Sequence, residues 1–143
     1  MPYHYLDDIA TADVAFEAWG ESEAAMFRSA AEATIHVMVT DPETIELRQL
    51  REIELADEAL DLLLFAFLQE VIFYKDADRL LLRVGSLRIE KSSERYILSA
   101  QLRGEPINRQ KHDLVVDVKA VTMHRFQVEA FEGGWKATVI LDI

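Results

Sequence analysis

Two aspartates stand at the ends of two apolar runs. Asp13 opens "DVAFEAWG", and Asp142 closes "WKATVILD" one residue before Ile143 and its carboxylate. An aspartate beside a main-chain carboxylate puts like charges together, and taking them out of water costs more still. Such a cluster either stays solvated or gathers around a cation. If the entry of one strand meets the exit of the other at a sheet edge, Asp13, Asp142 and Ile143 offer three oxygen donors to a hard cation such as Ca²⁺, Mg²⁺ or Mn²⁺. Spacing alone favours plain solvation, because strand ends are exposed and nothing local brings these two together.

Three further places carry chemistry-bearing residues. In "VVDVKAVTMH", alternation puts Asp117, Lys119 and Val121 on one face. Lys119 then either pairs with Asp117 at the surface, a weak interaction, or contacts a phosphate or an acidic group of a partner. His124 shares a face with Thr122, and a lone histidine on a half-apolar strand is more often a hydrogen-bonded structural residue than a base. The segment "NRQKHD" gathers Arg109, Lys111 and His112 and reads as a solvated loop, with a docking patch as the alternative. There is no P-loop, dinucleotide fingerprint, "GxSxG" or "HExxH", and spacing identifies no acid–base pair. A free-standing enzyme is not expected.

These residues need a frame. "ADVAFEAWG" alternates, with Val14, Phe16 and Ala18 on one side and Ala15, Glu17 and Trp19 on the other, which predicts a strand ended by Gly20. Ser22 is placed to cap a helix with the inward stripe Phe27, Ala30, Ala31, Thr34, Ile35 and Met38, and the Asp41-Pro42 step should stop it. "REIELA" predicts a short strand with Ile53 and Leu55 inward. Asp57 is the expected cap of a second helix. There Leu60, Leu63, Leu64, Phe67, Leu68 and Val71 share so broad a face that the helix should be covered on more than one side. The rest is strand-like. "RLLLRVGSLRIEK" and "ERYILSAQLRGE" flank "SSE" as a hairpin; "DLVVDVKAVTMH", "RFQVEAFE" and "WKATVILDI" follow, the last two joined by the turn "EGGW". Segregated helices and strands predict an α+β fold: a single domain over 1–143, with a curved mixed or antiparallel β-sheet system packed against two α-helices.

Composition narrows the function. The chain has 143 residues, 50% of them hydrophobic, enough for one core. Its 26 acidic and 15 basic residues give a formal net charge of -11, which excludes capture of nucleic acid by bulk charge and suits a cation or a basic protein partner. There is no cysteine, hence no disulfide, thiolate metal site or cysteine nucleophile, in keeping with a reducing cytoplasm. "MPYHYLDDIA" has neither the basic nor the apolar region of a leader, and "ALDLLLFAFLQEVIFY" is interrupted by Asp61 and Glu70 and short for a span. A cytoplasmic location without membrane association is expected.

Four segments, in order, resemble the archease family. "TADVAFEAWGES" is similar to its N-terminal signature, "AAMFRSAAEATIHVMVTD" to its first helix, "RGEPINRQKHDLVVDVKAVTMH" to its second signature, and "WKATVILDI" to its terminal strand. The resemblance implies a non-catalytic activator of an RtcB-type RNA ligase, which joins RNA ends with GTP and Mn²⁺ in tRNA splicing and RNA repair. Such activators help the ligase acquire its guanylate and turn over repeatedly. It also implies a divalent-cation site at Asp13, Asp142 and Ile143, with Ca²⁺ as the first expectation and Mg²⁺ or Mn²⁺ as alternatives. Lys119 and His124 become partner-contact residues, the nucleophile belongs to the ligase, and no direct nucleic-acid binding is implied. Two positions depart from the family pattern: Ala10 stands where His often precedes "TAD", and Ala15 where Gly often follows. Two other classes remain open. A chaperone-like assembly factor for an RNA-processing enzyme would depend on an apolar surface. A metal-dependent hydrolase would need a base, for which only His124 offers itself.

Overall fold

The computed structural model of the chain describes residues 2–6 and 13–143. Its elements are β1 (Tyr3–Leu6), β2 (Asp13–Gly20), α1 (Glu23–Met38), a 3₁₀ turn (Pro42–Thr44), β3 (Gln49–Asp57), α2 (Leu60–Ala77), β4 (Leu80–Ser92), β5 (Arg95–Pro106), β6 (Ala120–Phe131) and β7 (Gly134–Asp142). The strands form two sheets, ordered β1-β2-β7-β6 and β3-β5-β4, and every pairing is antiparallel. The α+β expectation thus resolves to a purely antiparallel system on two helices. Helix α1 lies against β1, β2 and β7 of the first sheet and β4 of the second; α2 lies against β3, β4 and β5 of the second and β6 of the first. Each helix therefore ties the sheets together, and the stacked rings of Phe27 and Phe67, 6.1 Å between centroids, join the helices.

Both helices bury the predicted stripes, for the reason the period gives: 3.6-residue spacing puts those side chains on one face. Ser22 Oγ accepts the Ala25 N–H at 3.1 Å and caps α1. The other ends differ from expectation. Helix α1 stops at Met38, before the Asp41-Pro42 step, because β-branched Val39 is already extended and bridges Leu114. Asp41 instead caps the following turn, accepting the Glu43 N–H at 3.0 Å. Asp57 ends β3; its carboxylate takes the Ala59 N–H at 3.0 Å, and Ala59 holds the N-cap position of α2 with no side-chain cap. Helix α2 is covered on more than one side, by both sheets and α1, and leaves Leu62 and Phe73, 42% and 56% exposed, on its open side.

The hairpin of β4 and β5 forms around Ser93 and Glu94 as read from "SSE". Beyond it the sequence reading is corrected twice. The strand expected from Asp113 begins only at Ala120, and it fuses with "RFQVEAFE" into the single strand β6. Within β6 the pairing to β7 jumps from Thr122↔Ile140 to Gln127↔Thr138, so Met123–Phe126 bulge out of the ladder, with Arg125 in the left-handed region at φ 54°. Strand β1 was not expected at all; four residues are too few for alternation to show. Among the described residues no helix is long and apolar enough to cross a membrane.

Candidate functional site

Strands β2 and β7 pair so that Asp13 lies directly opposite Asp142, and on its other side Asp142 lies opposite Ala120 of β6. Residues directly opposed in an antiparallel pair project to the same face with Cβ atoms about 4.5–5.5 Å apart, so the two carboxylates are neighbours, and like charges so placed destabilise the pair. The start of β2 and the end of β7 are therefore side by side. One face of this corner is core: Val14, Leu141 and Val121 sit opposite one another, and Ile143 packs against the same core. The acidic face continues differently. The next row on it is Ala15, Ile140 and Thr122, in which Ala15 is 3% and Ile140 0% exposed. Thr122 Oγ1 is buried without a hydrogen-bond partner among the described residues. Half-exposed Asp13 and Asp142 thus border a dry row, where charge interactions are less screened than in open water. Among the described residues no three His, Asp or Glu side chains converge on one point. The oxygen donors that the register brings to this corner are the two carboxylates of Asp13 and Asp142.

Lys119 adjoins this corner. Its N–H donates to the Asp142 carbonyl at 2.8 Å, while its side chain is exposed and makes no ion pair among the described residues. The expected Lys119–Asp117 pair does not form. Asp117 pairs instead with Lys75 of α2, a buried lysine only 6% exposed, which also pairs with Asp76 at 2.6 Å and donates to the Val118 carbonyl at 2.7 Å. One helical turn and a half earlier, Gln69 Oε1 accepts the Val121 N–H at 2.9 Å. Two α2 side chains thus hold this backbone, Lys75 at Val118 just ahead of β6 and Gln69 at Val121 in its first residues. This is why Val115–Lys119 alternate like a strand yet are not one, and why Val121 is buried while Lys119 is exposed.

The "NRQKHD" segment is not an ordinary solvated loop. His112 is 1% exposed. Its Nδ1 accepts the Asn108 N–H at 2.9 Å, which leaves the proton on Nε2 to donate to Glu105 at 3.0 Å. The same Glu105 oxygen accepts the Glu46 N–H at 2.7 Å and faces Lys111 Nζ at 2.7 Å. Desolvation pushes the Glu105 carboxyl up, but the Glu46 amide, Lys111 and His112 together outweigh it and hold it at about 2. The network fastens the loop to the end of β5 and so sets the start of the Lys119 segment. A depressed folded value means stability that is present above the ordinary glutamate range and lost as pH falls toward about 2. Glu105→Gln should cost about 1–3 kcal/mol in urea unfolding at neutral pH. Its gap to the native chain should close by about pH 2–3; a gap independent of pH would exclude the ionised network.

His124 lies in the β6 bulge, exposed, with no hydrogen bond among the described residues, and the register does not bring it to the acidic corner. Its expected alternation with Thr122 is broken by the bulge. Thr11 and Ala12 of "TAD", and the departure at Ala10, lie outside the described residues. The residues that sequence reasoning missed are Lys75, Gln69 and Glu105; a lysine near the end of an apolar helix was the available signal for the first.

A model of the archease protein family (MTH1598/TM1083) matches residues 3–143. The chain belongs to the archease family. The protein archease of Pyrococcus abyssi is 34% identical over 134 residues, covering 93% of this chain and 94% of that one. The protein archease of Methanosarcina mazei is 33% identical over 144 residues, covering 99% and 95%. The solution structure of protein 1598 of Methanobacterium thermoautotrophicum superposes with a TM-score of 0.86 at 31% identity, over 99% of both chains. The archease of Thermotoga maritima, known as a crystal structure, shares the fold at 19% identity with a TM-score of 0.54 over 98% of both chains.

Proposed function

We propose that this archease-family chain is a non-catalytic activator of an RtcB-type RNA ligase in tRNA splicing and RNA repair, promoting guanylylation and repeated turnover through a divalent cation at its acidic corner. The observation that carries this reading is the register of Asp13 against Asp142 beside Lys119. The donor set suits a hard cation: carboxylate oxygens only, like charges that repel without one, and a buried bordering row whose Thr122 hydroxyl has no partner among the described residues. Asp13, Asp142 and the Ile143 carboxyl group would hold Ca²⁺, Mg²⁺ or Mn²⁺. When bound, the cation supplies concentrated positive charge for phosphate oxygens. The residues of this chain do the rest: Lys119 presents its ammonium beside the corner, and the acidic surface, at -11, speeds encounter with a basic partner. The Thermotoga maritima protein is described as an archease and possible chaperone, which keeps a partner protein, rather than a small-molecule reaction, as the common element.

The cation and the activation can be tested apart. In thermal unfolding with a chelator, Asp13→Asn should be as stable as the native chain or up to about 1 kcal/mol more, because a like-charge pair is removed. On adding Ca²⁺ or Mn²⁺ the native chain should gain stability with concentration and Asp13→Asn should not. Equal gains by both would remove Asp13 from the site. For function, ligase guanylylation and multiple turnover are measured with and without this chain; no acceleration refutes the reading, and turnover of RNA by the chain alone with Mn²⁺ would replace it with a hydrolase.

A further inference from the structure

Between the C-terminal end of α2, the start of β4 and the 107–117 segment lies an open groove of about 370 Å³, a size that holds a few side chains or a small ligand. Its apolar lining includes Met38, Leu81, Ile107, Leu114 and Val116. Its charged lining is Lys75, Arg79 and Arg109 against Asp76 and Asp117. Lys75 is spent on both aspartates and on the Val118 carbonyl. Arg79 and Arg109 are exposed and make no ion pair among the described residues, although acids outnumber bases 26 to 15 in the chain. Arg79 is, moreover, held at φ 54° just past α2, a conformation that favours glycine. This left-handed turn at the helix end sets a long cation at the groove's edge.

The groove's wall also offers main chain. Val115 N–H is taken by the Met38 carbonyl and Lys119 N–H by the Asp142 carbonyl, but the N–H and C=O of half-buried Val116 have no partner among the described residues. A residue with both groups free beside an apolar floor is what an extended polypeptide pairs with; a small organic anion has no use for the pairing. We infer that this groove docks an extended segment of a partner polypeptide that carries an aliphatic residue and, two positions away, an aspartate or glutamate. The aliphatic side chain covers Leu81, Ile107 and Leu114, the carboxylate meets Arg79 and Arg109, and the segment's backbone bonds Val116. Side chains two apart in an extended segment face the same way, which sets the spacing. The inference stands apart from the cation reading, because neither Asp13 nor Asp142 lines the groove.

The test uses the full ¹⁵N-labelled chain without divalent cation or ligase. It is titrated with the acetylated, amidated pentapeptide Ser-Leu-Ser-Asp-Ser. The Val116 amide and the Arg79 and Arg109 Nε–H signals should shift saturably. Replacing the peptide's Asp by Lys should weaken binding at least about tenfold, as should the double variant Arg79→Gln, Arg109→Gln. That variant's fold is checked by its unchanged signals elsewhere. No saturable shift of Val116 at millimolar peptide overturns the inference. So does equal binding of the lysine peptide. Sodium acetate reproducing the same shifts would make the groove a plain anion site and overturn the polypeptide reading too.

Discussion

On the proposed reading, Asp13→Ala, Asp142→Ala and Lys119→Ala will each lower ligase activation at least about tenfold, the scale on which metal-site residues act, while leaving the fold intact. The side chains of Asp13 and Asp142 are half-exposed at strand ends and make no hydrogen bond or ion pair with a described residue. What ties Asp142 to Lys119 is its carbonyl, which alanine keeps. Truncating either aspartate even removes repulsion, so melting temperatures should stay level or rise slightly. Glu129→Ala, which loses only exposed contacts with Lys136 and Gln127, serves as the control and should activate normally. Full activation by all three folded variants would end the assignment. A chaperone-like role predicts the reverse: these variants would keep the partner soluble as well as the native chain does, and changes at exposed Phe73 or Leu62 would not.

Gly104→Ala will destabilise the chain by about 3 kcal/mol or more, a fall of about 10 °C in melting temperature. Gly104 sits in β5, the central strand of its sheet, opposite Gln49 on one side and Leu82 on the other. A Cβ there would stand 1.7 Å from the Leu81 carbonyl oxygen. That obstacle is backbone of β4, so relief means parting the ladder rather than turning a side chain. The Gly104 carbonyl also accepts the Arg48 N–H at 3.1 Å, and the next residue, Glu105, anchors the loop network, so the disturbance spreads toward Lys119. Gly85→Ala is the comparison: its Cβ would lie 3.1 Å from the Gln101 carbonyl, which a small shift relieves, and the cost should stay within about 1 kcal/mol. If Gly104→Ala melts within a few degrees of the native chain, the close approach of β4 and β5 there is not real.

The parts of the fold that were legible are those written in local periods. Phe27 through Met38 and Leu60 through Val71 declare their helices, and "SSE" and "EGGW" declare their turns, because spacing and turn chemistry act over a few residues. Register is not local. Nothing near Asp13 says that it faces Asp142; that follows only once β2, β7 and β6 lie side by side. Here the resemblance supplied what spacing left open. His112 looked solvated because its burial depends on Glu105 and Glu46, which belong to other elements. Val115–Lys119 looked like a strand because alternation is blind to where the backbone bonds go; here they go to the Met38 and Asp142 carbonyls and to the Lys75 ammonium rather than to a continuous ladder. The break inside β6 read as the boundary between two strands at His124 and Arg125, because nothing local distinguishes a bulge without glycine from a strand end.

That break has a consequence for how the molecule keeps company with itself. Strand β6 is the outermost strand of its sheet. An uninterrupted outer strand invites a neighbouring copy to zip on, and then another. The looped-out stretch around Arg125 cuts β6 into two short lengths, and Gln69 already occupies the Val121 amide in the first of them. Crowded copies of this chain thus find no continuous template on that margin from which a fibre could grow.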